Sequence, residues 1–377
     1  DYLIVGAGGS GIQTALFLKK YGHSCRILEK QAVAGYFWTK FPRFQELISV
    51  NKKVKNSTQH YRFDWHSMLE TPIQMYKDIS KDYYPTGQDW HKYMTTVVEQ
   101  AQIPIDFGVQ VKRLSTTDES QPCVVLMDDS KRCAKYRVFV GTGLQEKKEP
   151  YLRALGGIPY SQVTKEAAAE KIVCIAGNGN AGFEVAENVF GVADRVFIYG
   201  KRPARLSSIT KYTGDVRLKF LTTLENFHGK LLDTVLNVQP MRFESSSTPP
   251  NHIGLNRTQN GQLEAIMNAA VWVNIHQCEL LVIATGFQSV VPGMPLKEHH
   301  RFPPMNDWYT VKGVNSNIHY VGWFMHQQDF QKGAGGFLAG YRYLIRNLIH
   351  HVREQDHNIP YPYVTLTSAQ EALEHAS

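Results

Sequence analysis

Two clusters of glycine in the chain have the spacing that lets a phosphate group approach the backbone. The first is GAGGSG at residues 6–11, and the second is GNGNAG at residues 177–182. In a GxGxxG pattern the first glycine permits a tight turn, the second leaves room for a pyrophosphate, and the third lets a helix pack on a strand. The positive end of that helix then stabilises the phosphate charge. Each cluster predicts a dinucleotide site, and the alternative for one cluster alone is an ordinary glycine turn.

Each cluster lies between an apolar run and a helix-like stretch, as a βαβ nucleotide-binding unit requires. Residues 1–5 precede the first cluster, and residues 171–176 precede the second. In the first unit the next apolar run ends in Glu29, followed by Lys30. An acid at this distance from the glycines hydrogen-bonds ribose hydroxyls. This order of strand, glycines, helix, strand and acid favours a bound dinucleotide over a chance turn.

The second unit carries cations where the first carries an acid. Its next apolar run continues into Gly200, Lys201 and Arg202. Lys and Arg attract the 2′-phosphate of NADP, whereas a carboxylate repels it. We therefore predict FAD at the first unit and NADPH, in preference to NADH, at the second; the alternative for Lys201 and Arg202 is a solvated surface turn. The expected site residues are Gly6, Gly8, Gly9, Ser10, Gly11, Glu29 and Lys30 in the first unit, and Gly177, Asn178, Gly179, Asn180, Ala181, Gly182, Lys201 and Arg202 in the second.

Two similar stretches mark where the chain would leave and re-enter the FAD-binding domain. Residues 136–144 (YRVFVGTGL) precede the second unit, and residues 278–287 (CELLVIATGF) follow it. Both end in Thr-Gly, where the backbone can pass close to a cofactor, so Thr142 and Gly143 are candidate cofactor residues. We predict an α/β fold with two Rossmann-like domains, the NAD(P)-binding one inserted into a discontinuous FAD-binding one. The expected limits are 1–160 and 285–377 for the FAD-binding domain and 161–284 for the NAD(P)H-binding domain.

A third glycine-rich stretch precedes the last apolar helix of the chain. An apolar run ends at Gly322, and Gly335, Gly336 and Phe337 come directly before a sequence with apolar residues at helical spacing. The N-terminus of such a helix suits the electron-rich edge of a reduced flavin. The alternative is a tight loop required only for packing.

Composition excludes several other classes of protein. The chain has 377 residues, 43% hydrophobic and 20% charged, which is typical of folded domains and too long for one ordinary core. The formal net charge is +7, but the basic residues are scattered, so we expect no nucleic-acid partner. No apolar stretch approaches the roughly 20 residues that span a bilayer, so no membrane span is expected.

The five cysteines form neither a CxxC pair nor a zinc framework, so no metal site is predicted. Cys25, Cys174 and Cys278 lie in or beside apolar runs, where we expect buried structural thiols. The compartment does not follow from these cysteines. Asn56 and Asn256 begin N-glycosylation sequons, which are short enough to arise by chance.

The two glycine clusters and the two stretches with Thr-Gly resemble those of the superfamily of flavin monooxygenases and pyridine nucleotide-disulfide oxidoreductases. More narrowly, residues 41–52 (FPRFQELISVNK), 205–217 (RLSSITKYTGDVR) and 326–343 (HQQDFQKGAGGFLAGYRY) resemble endoplasmic-reticulum flavoproteins associated with degradation. The likeness covers nearly the whole chain. It implies FAD, a nicotinamide cofactor, a chaperone or misfolded-protein partner, and a place in the endoplasmic-reticulum lumen; the alternative location is the cytoplasm.

The resemblance also implies residues near the flavin. Gly35, Trp38 and Arg43 match positions where related enzymes approach the isoalloxazine, and backbone near Val111 matches the adenine contact. Arg43 would stabilise reduced flavin, or would form a structural ion pair.

Three further polar residues join Arg43 as candidates for catalysis. Asn51 would hydrogen-bond amide groups of the flavin or nicotinamide, or would be a turn residue. His326 and Asp329 flank the glycine-rich loop. They would act as acid–base groups or flavin contacts, or would only order that loop.

The sequence also departs from two well-known branches of this superfamily. Disulfide reductases carry a CxxC pair beside the flavin, whereas the stretch after Gly35 holds no cysteine. Baeyer–Villiger and N-oxygenating monooxygenases carry a histidine near the place where this sequence has Tyr160. We therefore predict an FAD oxidoreductase in which NADPH reduces the flavin by hydride transfer before electrons pass to oxygen, an unidentified substrate or a partner. The alternatives are a monooxygenase or halogenase working through a C4a-peroxyflavin, and a non-enzymatic, flavin-stabilised module that binds misfolded proteins.

Overall fold

The computed structural model describes residues 1–52, 64–70, 75–116, 120–200, 204–207, 215–220, 233–235, 278–294, 302–311, 313–328 and 333–366. The strands are β1 (Tyr2–Val5), β2 (Cys25–Glu29), β3 (Ile105–Phe107), β4 (Val111–Leu114), β5 (Cys123–Leu126), β6 (Lys131–Cys133), β7 (Arg137–Val140), β8 (Leu144–Glu146), β9 (Ile158–Pro159), β10 (Ile172–Ala176), β11 (Arg195–Tyr199), β12 (Asp233–Val235), β13 (Leu280–Ile283), β14 (Phe287–Ser289) and β15 (Ile318–Tyr320). The helices are α1 (Gly9–Lys20), α2 (Phe37–Lys40), α3 (Tyr76–Ile79), α4 (Gly87–Gln100), α5 (Pro150–Ala154), α6 (Lys165–Ala168), α7 (Asn180–Val189) and α8 (Leu338–His357). Short 3₁₀ turns lie at Tyr160–Gln162, Leu218–Phe220 and Gly322–Gln327.

The first large sheet has the strand order β15-β7-β1-β2-β3, and all of its neighbouring strands are parallel. All four residues of β1 are buried, as expected for a parallel strand covered on both faces. Ile4 packs in the cluster that contains apolar side chains of α1 and α8. Leu3 and Val5 pack in the opposite cluster, which contains side chains of β4 and β5.

The second large sheet has the order β12-β11-β10-β13-β9 and is also parallel throughout. One face of β10 packs through Val173 and Ile175 against the apolar side of α7. The other face packs through Cys174 in a smaller cluster. The second unit therefore repeats the layered arrangement of the first.

The two chain crossings lie side by side. β8 leaves the first unit, β14 returns to it, and the two strands pair antiparallel with Gln145 opposite Gln288. The Thr142 hydroxyl donates to the carbonyl of Val290, which links the crossings again. All of the second sheet lies in sequence between β7 and β15, which belong to the first. The predicted fold class, with one Rossmann-like unit inserted into another, is confirmed.

A segment of the first unit, residues 41–48, packs into the core of the second; we call it the strap. Phe41 stacks on Tyr160 with ring centroids 5.8 Å apart and meets Phe287 edge to face at 5.0 Å. Glu46 of the strap forms an ion pair with Lys219 at 3.2 Å. Apolar and charged contacts therefore both join the two units.

The prediction of free thiols at Cys174 and Cys278 was wrong, because these residues form a disulfide. Cys174 lies within β10 and Cys278 just before β13, and pairing of these strands brings together residues separated by 104 positions. Cys123 and Cys133 form a second disulfide across the antiparallel β5–β6 pair. Cys25 is a buried free thiol, as predicted, and burial raises its pKa to about 11.

Among the described residues, no helix combines the length and the apolar character needed to cross a bilayer.

Candidate functional site

The first glycine cluster lies at the carboxyl end of β1, where the strand order reverses. The strand after β1 in sequence, β2, pairs on one side of it, and β7 pairs on the other. In open parallel sheets this reversal forms the crevice in which dinucleotides bind. Gly6 turns the chain there with φ +101°, and a Cβ on Gly6 would lie 2.6 Å from the carbonyl oxygen of Gly141. A larger residue at position 6 would push the turn away from the end of β7.

The middle glycine of this cluster faces open space. A Cβ built on Gly8 would meet no atom within 4 Å, whereas one on Gly11 would meet the carbonyl of Gly6. Gly8 caps α1, a 12-residue helix with no acidic residue in its first turn. Free space in front of an uncompensated helix N-terminus suits a phosphate group. The residues present therefore fit the pyrophosphate of a dinucleotide.

Glu29 ends β2 and reaches back to the glycine cluster. Its buried carboxylate accepts hydrogen bonds from the backbone N–H of Ala7 at 2.7 Å and of Gln31 at 2.8 Å. Lys30 beside it is exposed. The carbonyl of Glu29 accepts the N–H of Val109 at 2.9 Å, so the loop that leads into Val111 at the start of β4 lies against the end of β2. The segments predicted to bind the ribose, at Glu29, and the adenine, near Val111, therefore lie next to each other.

The third glycine-rich stretch packs against the start of α1. Gly322 has φ +76°, and a Cβ there would lie 2.5 Å from the Ser10 hydroxyl oxygen. Gly335 and Gly336 form the turn before Phe337, which caps α8. Since α1 and α8 also pack together, the structure joins the two predicted helix N-termini at one place.

His326 is fully buried in an aromatic shell beside this turn. Its ring lies 6.1 Å from Phe302, 5.9 Å from Trp323 and 6.1 Å from Phe337, measured between centroids. A Cβ on Gly336 would approach the His326 Cβ to 2.8 Å, so the loop fits closely over this residue. Asp329, its predicted companion, lies outside the described residues.

Gly35 and Trp38 are held next to the first glycine cluster. The N–H of Gly35 donates to the carbonyl of Ala7 at 2.8 Å, and the Trp38 ring stacks on Trp90 at 5.4 Å. Asn51 is buried, and its side-chain amide donates to the carbonyl of Ser80 at 2.9 Å. Asn51 therefore orders a loop within the first unit.

Arg43 faces the connection between the units. Its side-chain Nε donates to the carbonyl of Val163 at 2.6 Å, and its backbone N–H donates to the Tyr160 hydroxyl at 2.8 Å. The only cation–π contact described for it is with Phe44, at 5.6 Å from the ring centroid. In the described structure, Arg43 fastens the strap to the linker that leads into the second unit.

Glu184 completes this junction, and the sequence analysis missed it. Tyr160 donates its hydroxyl proton to Glu184, whose other carboxylate oxygen accepts the N–H of Phe44 at 2.7 Å. Burial raises the pKa of Glu184 to about 7, and burial together with this neighbouring charge raises the pKa of Tyr160 well above its usual value. The available signal was an acid within the apolar helix sequence FEVAENV.

The second glycine cluster repeats the geometry of the first. It follows β10, whose partners are β11 on one side and β13 on the other, so the strand order reverses here as well. A Cβ on Gly179 would meet no atom within 4 Å, and α7 begins at the next residue with no acid in its first turn. Asn180 uses its side chain to hold another loop, accepting the N–H of Arg217 at 3.1 Å and donating to the carbonyl of Asp215 at 3.2 Å.

The remaining residues of this cluster serve its packing. Gly177 turns with φ +123° against the end of β13, and a Cβ on Gly182 would meet the carbonyl of Gly177. The Asn178 side chain fills the space beside Gly200, at the end of β11. Lys201 and Arg202, the predicted readers of a 2′-phosphate, lie outside the described residues.

A pocket opens on the β13 side of this cluster. It is lined by Glu146, Lys147, Arg153, Pro159, Tyr160, Ala181, Ile283, Ala284, Thr285, Gly286 and Phe287. Ala181 is thus the predicted second-site residue that meets this pocket. Its two cations, Lys147 and Arg153, come from the first crossing and the helix after it, and no local motif in the sequence marks them.

Comparison with known proteins agrees with this architecture. The family model described as pyridine nucleotide-disulphide oxidoreductase matches residues 3–248. The flavin-containing monooxygenase from Stenotrophomonas maltophilia has a similar fold, with a TM-score of 0.68 at 18% identity over 94% of this chain and 98% of that one.

Two curated relatives confirm the resemblance found in the sequence. The FAD-dependent oxidoreductase domain-containing protein 2 of Danio rerio is 26% identical over 98% of this chain, and that of Mus musculus is 27% identical over 98%. The chain spans 61% of the length of each of these relatives. With a family match over more than half of its length, the chain belongs to the pyridine nucleotide-disulphide oxidoreductase family.

Proposed function

We propose that the chain is an FAD-dependent oxidoreductase that accepts a hydride from a nicotinamide dinucleotide, with NADPH preferred over NADH. The observation that carries this proposal is the paired geometry of the two glycine clusters. Each follows the central strand of its own parallel sheet, at a reversal of strand order, with open space at the middle glycine. The family match and the names of the curated relatives support it.

The first unit would hold FAD at the N-termini of α1 and α8. Glu29 already accepts two backbone N–H groups, but a carboxylate has about four acceptor positions, so it retains capacity for a ribose hydroxyl. Gly8 leaves the space for the pyrophosphate, and Gly322 allows the turn before α8 to approach α1. When bound, FAD supplies a two-electron acceptor, which the side chains of this unit do not provide.

The second unit would hold the nicotinamide dinucleotide at the N-terminus of α7. Gly179 leaves space for its pyrophosphate, and Lys201 and Arg202 would attract a 2′-phosphate. The expected domain limits of 1–160, 161–284 and 285–377 belong to this proposal. Hydride transfer requires close stacking of the two rings and exclusion of water, so we assign the protein mainly a positioning role.

The predicted catalytic residues fit such positioning roles. Arg43 donates a hydrogen bond to the carbonyl of Val163 and so orders the strap. Asn51 donates to the carbonyl of Ser80 and so orders the loop that contains Ser80. Trp38 and the aromatic shell of His326 would exclude water from the flavin. An acid–base role for His326 with Asp329 is retained as part of the proposal.

The test is an anaerobic titration of the purified protein with NADPH, followed by absorbance at the flavin bands. We expect a yellow protein that is bleached by one equivalent of NADPH and more slowly by NADH. A colourless protein, with no flavin released on denaturation, would contradict the first site. A yellow protein that neither nucleotide bleaches would contradict the second and favour a flavin-stabilised interaction module.

Admission of oxygen after bleaching then separates the two enzymatic alternatives. Direct return of the oxidised spectrum supports an oxidoreductase that passes its electrons onward. A persistent intermediate spectrum before that return would instead favour the monooxygenase alternative.

We extend the proposal to an oxidising compartment such as the endoplasmic-reticulum lumen. Two disulfides among the described residues support it, because thiols in the cytosol are kept reduced. Alkylation of protein extracted under trapping conditions, followed by peptide mass spectrometry, tests this. Alkylated Cys123 and Cys174 would contradict the proposed compartment.

A further inference from the structure

The pocket beside the second glycine cluster contains positive charge from outside that cluster. Lys147 directly follows β8, and Arg153 lies on α5. Both side chains are exposed, and among the described residues neither takes part in an ion pair or a side-chain hydrogen bond. Two cations without a protein partner therefore border one concave surface.

The acid in the pocket, Glu146, forms no ion pair with these cations among the described residues. Glu146 directs its carboxylate to the next 3₁₀ turn, where one oxygen accepts the N–H of Ser161 at 3.0 Å and the other accepts the Ser161 hydroxyl. In the same pocket the hydroxyl oxygen of Thr285 is buried and has no hydrogen-bond partner among the described residues. Buried hydroxyls are normally hydrogen-bonded, so this one marks a position for a ligand atom.

The pocket also lies at a defined side of β10. Part of its wall is formed by the segment that joins β13 to β14, from Ile283 to Phe287, and by Ala181 at the start of α7. In a nucleotide-binding unit the adenosine lies toward the second strand of the unit, which here is β11, and the pyrophosphate lies at the helix N-terminus. The β13 side is therefore the side of the pyrophosphate and the nicotinamide half. Lys201 and Arg202 follow β11 in sequence.

We infer that Lys147 and Arg153 bind the pyrophosphate of the nicotinamide dinucleotide, and that they do so independently of Lys201 and Arg202. This inference rests on the proposed function of the second unit. The N-terminus of α7 supplies a partial positive charge for this doubly negative group, and Lys147 and Arg153, which line the pocket beside it, supply two full charges.

The assignment makes a specific prediction about cofactor choice. NADPH and NADH share the pyrophosphate and differ in the 2′-phosphate. Loss of Lys147 or Arg153 should therefore weaken both cofactors by the same factor, whereas loss of Lys201 and Arg202 should weaken NADPH far more. Lys147 and Arg153 would set the affinity for both dinucleotides, whereas Lys201 and Arg202 would set the preference for NADPH over NADH.

The experiment measures dissociation constants of the flavin-containing protein for NADPH, NADH and 2′,5′-ADP by isothermal titration. The variants are Lys147→Ala, Arg153→Ala and the double substitution, with Lys148→Ala as the matched control, since Lys148 is exposed but does not line the pocket. A partly exposed charged contact to phosphate is worth about 1 kcal/mol, so each single variant should bind both dinucleotides about fivefold more weakly. Binding of 2′,5′-ADP, which keeps only the adenosine-side phosphate of the pyrophosphate, should weaken less than binding of either dinucleotide.

The other outcomes each overturn the inference in a recognisable way. Unchanged affinities in the double variant would show that the two cations do not contact the dinucleotide. Weakening of NADPH and 2′,5′-ADP without weakening of NADH would assign them to the 2′-phosphate instead. If the unaltered protein bound neither dinucleotide, the proposed function of the second unit would fail and the inference with it. Because both side chains lack partners among the described residues, equal thermal stability of all variants serves as the folding control.

Discussion

Replacing Glu184 by Gln should remove a pH dependence of stability that arises from burial of one carboxyl group. Glu184 lies on α7 at the junction of the two units, where it accepts hydrogen bonds from Tyr160 and Phe44. Burial raises its pKa from 4.5 to about 7 despite these two bonds. Gln has nearly the same shape but no charge at any pH.

The magnitude follows from the difference in pKa between the folded and unfolded states. Because the folded state binds the proton more tightly, this stabilisation is complete below pH 4.5 and is lost as the pH rises to about 7. With about 1.4 kcal/mol for each pKa unit, the loss between pH 5.5 and 8 is about 2 kcal/mol. The unfolding free energy of Glu184→Gln minus that of the unaltered protein should therefore rise by about 2 kcal/mol between pH 5.5 and pH 8.

Urea unfolding of both proteins at half-unit steps from pH 5.5 to 8 measures this difference. Buried histidines titrate with the opposite sign, since burial lowers the pKa of His319 to about 4, and taking the difference between the two proteins cancels their contribution. Glu99→Gln, on an exposed position of α4, is the matched control and should run parallel to the unaltered protein. Parallel curves for Glu184→Gln as well would refute the reasoning, because they would mean that Glu184 is ionised throughout.

Three further predictions concern the glycine clusters and a disulfide. Gly8→Val should abolish FAD binding, since its side chain would occupy the open space before α1; a yellow, folded variant would disprove this site. Replacing both Lys201 and Arg202 by Ala should raise the dissociation constant for NADPH at least tenfold more than that for NADH, and equal effects would exclude a 2′-phosphate role. Replacing both Cys174 and Cys278 by Ala should lower the free energy of unfolding by up to about 5 kcal/mol, because the disulfide closes a long loop; urea unfolding without a shift would show that the bond does not form.

The parts of the fold that depend on local sequence were predictable. The apolar runs before Gly6 and Gly177 became β1 and β10, and α1 and α7 follow the glycines as the pattern requires. These features are encoded within about 30 residues of chain, so the pattern of strand, glycines and helix can be recognised without knowledge of distant contacts. The fold class followed from the presence of two copies of this pattern in one chain.

Features that depend on strand order could not be predicted in the same way. Cys174 and Cys278 were judged by their apolar surroundings, and their pairing appears only when β10 and β13 are neighbours. Thr285, Lys147 and Arg153 also line one pocket, although no motif connects them. The order of strands in a sheet is a property of the whole chain.

The position of Arg43 illustrates another limit. Its sequence position suggested a flavin contact or a structural ion pair, and neither prediction included the hydrogen bond that its Nε makes to Val163, in the linker to the second unit. The strap can contact the second unit because an aromatic cluster of Phe41, Tyr160 and Phe287 joins the two. How two units pack depends on surface complementarity, which local periodicity does not describe.

The antiparallel pairing of β8 with β14 has a consequence for how this architecture could arise. Neighbouring strands lie about 5 Å apart, so the second unit leaves and re-enters its host at almost one point. A shorter ancestor could have connected the same two strands by a hairpin turn and still have completed the sheet that contains β7 and β15. The second unit is then an insertion between two paired strands, and its gain or exchange would change the contacts of the strap while β7 and β15 stayed in one sheet.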